Sequence, residues 1–202
     1  MIDFYKQRRI ASILSAVTQQ KEYRLRIKQI GEMLDIMQSK RKFYIFKPCD
    51  WREIVMTIVG VFLGIGGVSL LAYVTDQPFI MAPFGASAVL LYCASSSPLA
   101  QPRNFLCSHF IAGVIGITCV NLLGSSWYVA AISVCLAIIA MMLTDTVHPP
   151  GGATALLVVL QNTRSYLFLL RPILVGVVIM FVAAIISARL FPGVRPYPKE
   201  SK

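Results

Sequence analysis

From residue 54 to residue 188 the chain is a succession of long apolar runs separated by short polar turns. A helix takes about 20 residues to cross roughly 30 Å of hydrocarbon, and four uncharged runs, 54–75, 105–123, 127–144 and 172–188, have about that length. Each predicts a full transmembrane helix. Two further runs, 77–101 and 146–163, are apolar enough to enter a bilayer but are interrupted near their beginnings by proline and glycine. The second contains "HPPGGATALL" at 148–157. Proline has no N–H for a helix interior and pushes the residue before it towards extended backbone, so both stretches predict extended chain passing into a half-helix.

The two interrupted stretches match one another. "PFGASAVLL" at 83–91 and "PGGATALLV" at 150–158 align without a gap at an offset of 67 residues, pairing Pro83 with Pro150, Gly85 with Gly152, Ala86 with Ala153 and Ser87 with Thr154. Each has a predicted helix before and after it, so the chain reads as two repeats, about 54–123 and about 127–190. The plain alternative is a chance match among the small residues common in membrane helices. If the broken segments cross the membrane, each repeat has three crossings and the second is inverted. If they dip in and return, there are four crossings and parallel repeats. Seven residues of extended chain at about 3.3 Å each cover half a bilayer, so crossing is feasible and is the version favoured here. The expected fold is an all-α membrane protein with four full transmembrane helices and two Pro/Gly-broken half-helical segments in two inverted repeats.

A backbone that leaves helical geometry inside hydrocarbon is tolerated only against protein or a wet cavity, because unpaired N–H and C=O groups cost several kcal/mol each. A half-helix starting there turns its positive end and free amides towards the break, an arrangement suited to an anion. Two such ends from two repeats are a common way for secondary transporters to hold substrate. The candidate binding residues are therefore Gly85, Ala86 and Ser87 in the first repeat and His148, Gly151, Gly152, Ala153 and Thr154 in the second.

Charge adds orientation. The 202 residues are 56% hydrophobic and only 14% charged, with a mean hydropathy of +0.69, which marks a membrane protein. Of 19 Lys and Arg, 11 lie in residues 1–50, and between residues 54 and 188 the only charged residues are Arg103, Arg164, Arg171, Asp76 and Asp145. The net charge of +10 is thus a topological signal and implies no nucleic acid partner. It places the N-terminal region and the tail 193–202 in the cytoplasm; an integral, multi-pass location in a bacterial inner membrane is expected. Residues 1–50 carry Leu25, Ile30, Met33, Leu34 and Met37 at near-helical spacing among basic residues, which predicts a basic amphipathic helix lying on anionic headgroups or on a partner. No apolar run follows the first basic residues closely enough for a cleavable targeting peptide.

Several residues carry two readings. His148 suits substrate binding or proton relay, or a cap on the chain break. Asp145 is a proton-coupling candidate as an intramembrane carboxylate, or a helix-end charge. Arg103 and Asn104 suit guidance of an anion, or anchoring at the headgroups. His109, five residues into its predicted helix, reads as a packed, hydrogen-bonded histidine rather than a ligand. The five cysteines, at 49, 93, 107, 119 and 135, have no zinc-site spacing and read as small packing residues, so no metal or cofactor is expected. "GVFLG" at 60–64 permits close helix approach, within the monomer or in a homo-oligomer.

The motifs "HPPGGATALL" at 148–157, "APFGASAVLLY" at 82–92 and "SPLAQPRN" at 97–104 resemble the HPP family of integral membrane proteins, named for its His-Pro-Pro signature, over residues 50–192. The family is described as having four transmembrane helices, and some members are assigned to nitrite transport. The resemblance implies an anion permease, with nitrite the first substrate to test and the lipid bilayer its other partner. Without a nucleophile motif or metal spacing, an enzyme is not expected. The alternative is a non-transporting sensor or scaffold acting through the basic N-terminal helix.

Overall fold

The computed structural model describes residues 20, 24–33 and 50–198, in two units, Met1–Cys49 and Asp50–Lys202. In the first unit residues 24–33 are helical and exposed, with Lys28 and Glu32 paired at 3.9 Å one turn apart. Leu25, Ile27, Ile30 and Met33 are exposed apolar side chains on this helix. Leu34 and Met37, part of the predicted amphipathic face, lie outside the described residues.

The second unit is all helical. Its elements are α1 (Trp51–Thr75), α2 (Ala82–Ala88, continued by a wider turn Val89–Cys93), a short 3-10 turn (Pro98–Ala100), α3 (Pro102–Leu123), α4 (Trp127–Leu143), α5 (Pro149–Leu160) and, after a kinked turn at Leu169–Leu174, α6 (Val175–Leu190). Among the described residues three helical stretches, Trp51–Thr75, Pro102–Leu123 and Leu169–Leu190, are long and apolar enough to cross a membrane. The predicted third crossing, α4, has 17 residues and so spans about 26 Å.

The helices α1 and α3 start three residues earlier than the apolar pattern suggests because their first turns are polar. Asp50 caps α1 by accepting from the Arg52 N–H at 3.0 Å, and Glu53 complements the positive helix end. Pro102 opens α3, where its missing N–H leaves nothing unsatisfied. The helices preceding the two breaks end alike. Thr75 and Thr144 turn their hydroxyls back to the carbonyls of Leu71 and Ala140, at 2.6 and 2.8 Å, and the next residue, Asp76 or Asp145, sits at a φ of 52°. A short side chain that can bond locally tolerates that left-handed conformation. The chain is then extended as far as Met81 in one case and His148 in the other.

Contacts fix where the broken segments run. Residues 76–93 begin beside the end of α1 and finish beside its start: the Tyr92 carbonyl accepts from Thr57 Oγ1 at 3.0 Å, and Arg195, which bonds the Cys93 carbonyl, is paired with Glu53. Residues 144–164 behave likewise along α3. Arg103 and Asn104 at its start bond the Thr144 and Val147 carbonyls at 2.8 and 3.0 Å, while Asn121 near its end bonds the Arg164 carbonyl at 3.0 Å. Both segments therefore run the full length of a long helix with only twelve residues of each in helical turns.

The core is built around α3, which packs most extensively on α5 and α4, while α1 pairs with α6. The outer surfaces carry Ile58, Phe62, Leu70, Leu136 and Val182, as lipid-facing sides do, and Trp51 and Trp127 stand exposed at helix starts, where interfacial aromatics belong. The small-residue pattern at 60–64 is used inside the chain. Gly60 and Gly64 form a seat for the Tyr92 ring: a Cβ on Gly60 would lie 2.5 Å from Tyr92 Cδ1, and one on Gly64 would overlap the hydroxyl, which donates to the Met180 carbonyl at 3.0 Å. Tyr92 thereby ties the end of the first broken segment to α1 and α6. Gly64→Val is expected to lower stability by about 1–3 kcal/mol, as overpacking of a filled core does; SDS-titrated unfolding in mixed micelles measures it.

Candidate functional site

Inside this apolar bundle runs one row of polar side chains. His148 is the N-cap of α5, placed in extended backbone by the proline that follows it. Its Nδ1 lies 2.7 Å from the Leu99 carbonyl and its Nε2 lies 2.9 Å from Ser87 Oγ on α2. Ser87 Oγ is also 2.9 Å from Nε2 of His109 on α3, and Nδ1 of His109 is 2.7 Å from Thr154 Oγ1 on α5. All four side chains are fully buried. Phe105 closes one side, its ring edge-on to both imidazoles at 5.4 and 5.3 Å, and Phe84 meets His109 at 5.8 Å.

The two matching segments converge on one ring. Ser87 and Thr154, paired in the sequence alignment, occupy the two nitrogens of His109. His109 is the packed, hydrogen-bonded histidine expected of its place in the helix; its partners, Ser87 and Thr154, lie 22 and 45 residues away and leave no mark in the local sequence. An ionisable ring on an apolar helix, one turn from Ala112 and Gly113, was the available signal.

The remaining candidates separate. Gly151 is a packing position: a Cβ there would stand 2.9 Å from Ser108 Cβ and 3.1 Å from Met141 Sδ. Gly152 has open space, its nearest neighbour being Val134 Cγ1 at 4.0 Å, and Gly85 has none within that distance. They line different grooves. Gly152 and Ala153 border one of about 500 Å³ with Val134, Met141, Val147 and His148, whereas Gly85 borders one of about 240 Å³ with Val68, Ser69 and Met81. Ala86 and Ala153 are exposed. Fewer amides are free at the helix starts than the half-helix pattern suggests. Pro149 and Pro150 have none, and the Gly151 and Phe84 N–H groups already bond the His148 and Met81 carbonyls, each at 2.9 Å. Side chains thus supply most of the polar groups at the breaks.

Asp145 lies outside this row. It is exposed and 3.7 Å from Arg103, whose guanidinium also holds the Thr144 carbonyl. Arg103 and Asn104 consequently act as clamps on the loop that delivers His148. Of the cysteines, Cys119 is buried, Cys93, Cys107 and Cys135 are exposed and free, and Cys49 lies outside the described residues.

An all-helical unit with several long apolar helices and a buried polar centre is a multi-pass integral membrane protein. Residues 47–198 match the HPP transmembrane region, and the chain belongs to the HPP family. Two transmembrane proteins of Dictyostelium discoideum are each 36% identical to it over 160 residues; the match covers 74% of this chain and 56% of one relative, 51% of the other. The chain therefore spans about half the length of the curated relatives it matches. No solved structure matches it.

Proposed function

We propose that the protein is a transporter or channel for a small monovalent anion, with nitrite the first candidate. The observation that carries the reading is the buried row Ser87, His109, His148 and Thr154 where the two broken segments meet. Polar and ionisable side chains within membrane spans are expensive to place and mark substrate or proton pathways. Nitrite itself comes from family resemblance.

In this reading residues 54–123 and 127–190 are inverted repeats, supported by the end-to-end course of the broken segments along α1 and α3. Both ends of the 51–192 region then face the cytoplasm, as the basic N-terminal residues favour. The anion binds in the groove that Gly152, Ala153 and His148 border, beside the buried row of Ser87, His109 and Thr154, and the repeats rock around it. A proton taken up with the anion through His148 balances its charge.

Purified protein in liposomes tests this directly. Nitrite is expected to enter protein-containing vesicles well above the rate for empty ones at neutral pH. Equal rates overturn the reading and leave the sensor or scaffold role.

A further inference from the structure

We propose that His109, Ser87 and His148 form a proton relay that carries the proton accompanying the anion, with the Thr154 hydroxyl as its rotor. The inference rests on the transport reading above and assigns its proton path. The geometry fixes the direction of every hydrogen bond. The Leu99 carbonyl can only accept, so His148 carries its hydrogen on Nδ1 and, neutral, has a bare Nε2. Ser87 must donate to that nitrogen at 2.9 Å. Having one hydrogen, Ser87 then accepts from Nε2–H of His109, again at 2.9 Å. His109 Nδ1 is left bare and accepts from Thr154 at 2.7 Å. The row is a single-polarity chain: Thr154 to His109 to Ser87 to His148 to Leu99.

An extra proton reverses the chain without breaking a contact. A hydronium ion entering with the anion gives that proton to His109 Nδ1 and leaves water, as the Thr154 hydroxyl turns to the Pro150 carbonyl, 3.4 Å away in its own helix. The Nε2–H bond of His109 then breaks as its proton bonds to Ser87 Oγ, while the original Ser87 proton leaves for His148 Nε2. One proton has entered, and the positive charge has moved from His109 to His148. His109 is neutral with its hydrogen on Nδ1, and Thr154 accepts from it. Ser87 is the necessary middle member, because among the described residues its oxygen alone bonds both imidazoles.

The surroundings link that charge to an anion. The elements packed about the rings present Phe84 and Ser87 from α2, Phe105 from α3, the Leu99 carbonyl and Thr154 from α5. Among the described residues each imidazole's titratable contact is the other one, at 5.4 Å between centroids, and no carboxylate of those residues bonds either ring. The nearby charged pair, Arg103 at the start of α3 and Asp145 on the neighbouring loop, is exposed and occupied with itself. An imidazolium buried there has no counter-charge among the described residues, so it is stabilised chiefly when an anion arrives with it.

Two measurements on the full chain in liposomes test the relay. His109 and His148 are the only histidines of the chain, so NMR of isotope-labelled histidine reports them alone, and His109→Leu assigns the signals. At neutral pH opposite tautomers are expected, hydrogen on Nε2 of His109 and on Nδ1 of His148; the same tautomer on both rings overturns the relay. Simultaneous nitrite and internal-pH recording should give about one proton per anion, the ratio that leaves no net charge in the row. Ser87→Ala should lower protons moved per anion by about a hundredfold, the lower end of what a positioned proton-transfer group contributes, while Ser87→Thr, which keeps the hydroxyl, preserves the ratio. A wild-type ratio in Ser87→Ala overturns the proposal. If no nitrite moves through the wild type, the transport reading fails, and the tautomers still decide whether the row is poised as described.

Discussion

Gly152→Leu is expected to fold and to carry no nitrite. The space beside Gly152 is open to 4.0 Å, so a side chain enters the groove without displacing the bundle. There it stands against the wall that includes His148 and Ala153, where the anion is placed. Neighbouring Gly151→Leu separates blocking from misfolding. Its Cβ would press on Ser108 and Met141 at 2.9 and 3.1 Å, with the Ser108 carbonyl at 3.2 Å, so that variant loses stability by about 1–3 kcal/mol or more. Uptake by vesicles, alongside the yield of monodisperse protein, distinguishes the two. A Gly152→Leu protein that transports at the wild-type rate would show that the anion passes elsewhere.

The largest structural effect is expected at Gly176. A Cβ there would overlap Phe84 Cε2 and lie 2.5 Å from Cζ, and the Phe84 ring is almost wholly buried. Phe84 also touches His109 and lies one turn before Ser87 on α2, so moving it disturbs the polar row as well as the packing. Gly176→Leu should destabilise by about 3 kcal/mol, the upper part of the usual overpacking range. The milder Gly176→Ala should be rescued by Phe84→Leu, because the two residues share one space. A double-mutant cycle in SDS-titrated micelles reads their coupling, and strict additivity would mean that Phe84 and Gly176 do not meet in the folded protein.

Much of the architecture was legible because its causes are local. Apolar runs, prolines and turn residues located α1, α3, α4, α6 and both breaks to within a few residues. The misplacements have physical reasons: Arg52 and Glu53 hide the first turn of α1 from an apolar pattern, and the Thr144–Asp145 pair stops α4 before a full span. Glycine function was not legible. Gly60, Gly64, Gly151 and Gly176 make room for rings or side chains from elsewhere, whereas Gly85 and Gly152 have open space, and nothing in the neighbouring sequence separates the two kinds. By position in the chain Asp145 and His148, three residues apart, are both candidates for a proton. Folding turned one outward to Arg103 and the other inward to Ser87.

By itself the sequence determined an all-helical membrane chain with two matching segments that could not remain continuous helices, since periodicity and proline act over a few residues. Only the tertiary structure decided that Ser87, His109, His148 and Thr154 form one hydrogen-bonded row. Their contacts join positions 22, 45 and 61 residues apart, and such contacts depend on which faces of α2, α3 and α5 turn towards one another, a property of packing that no local pattern encodes.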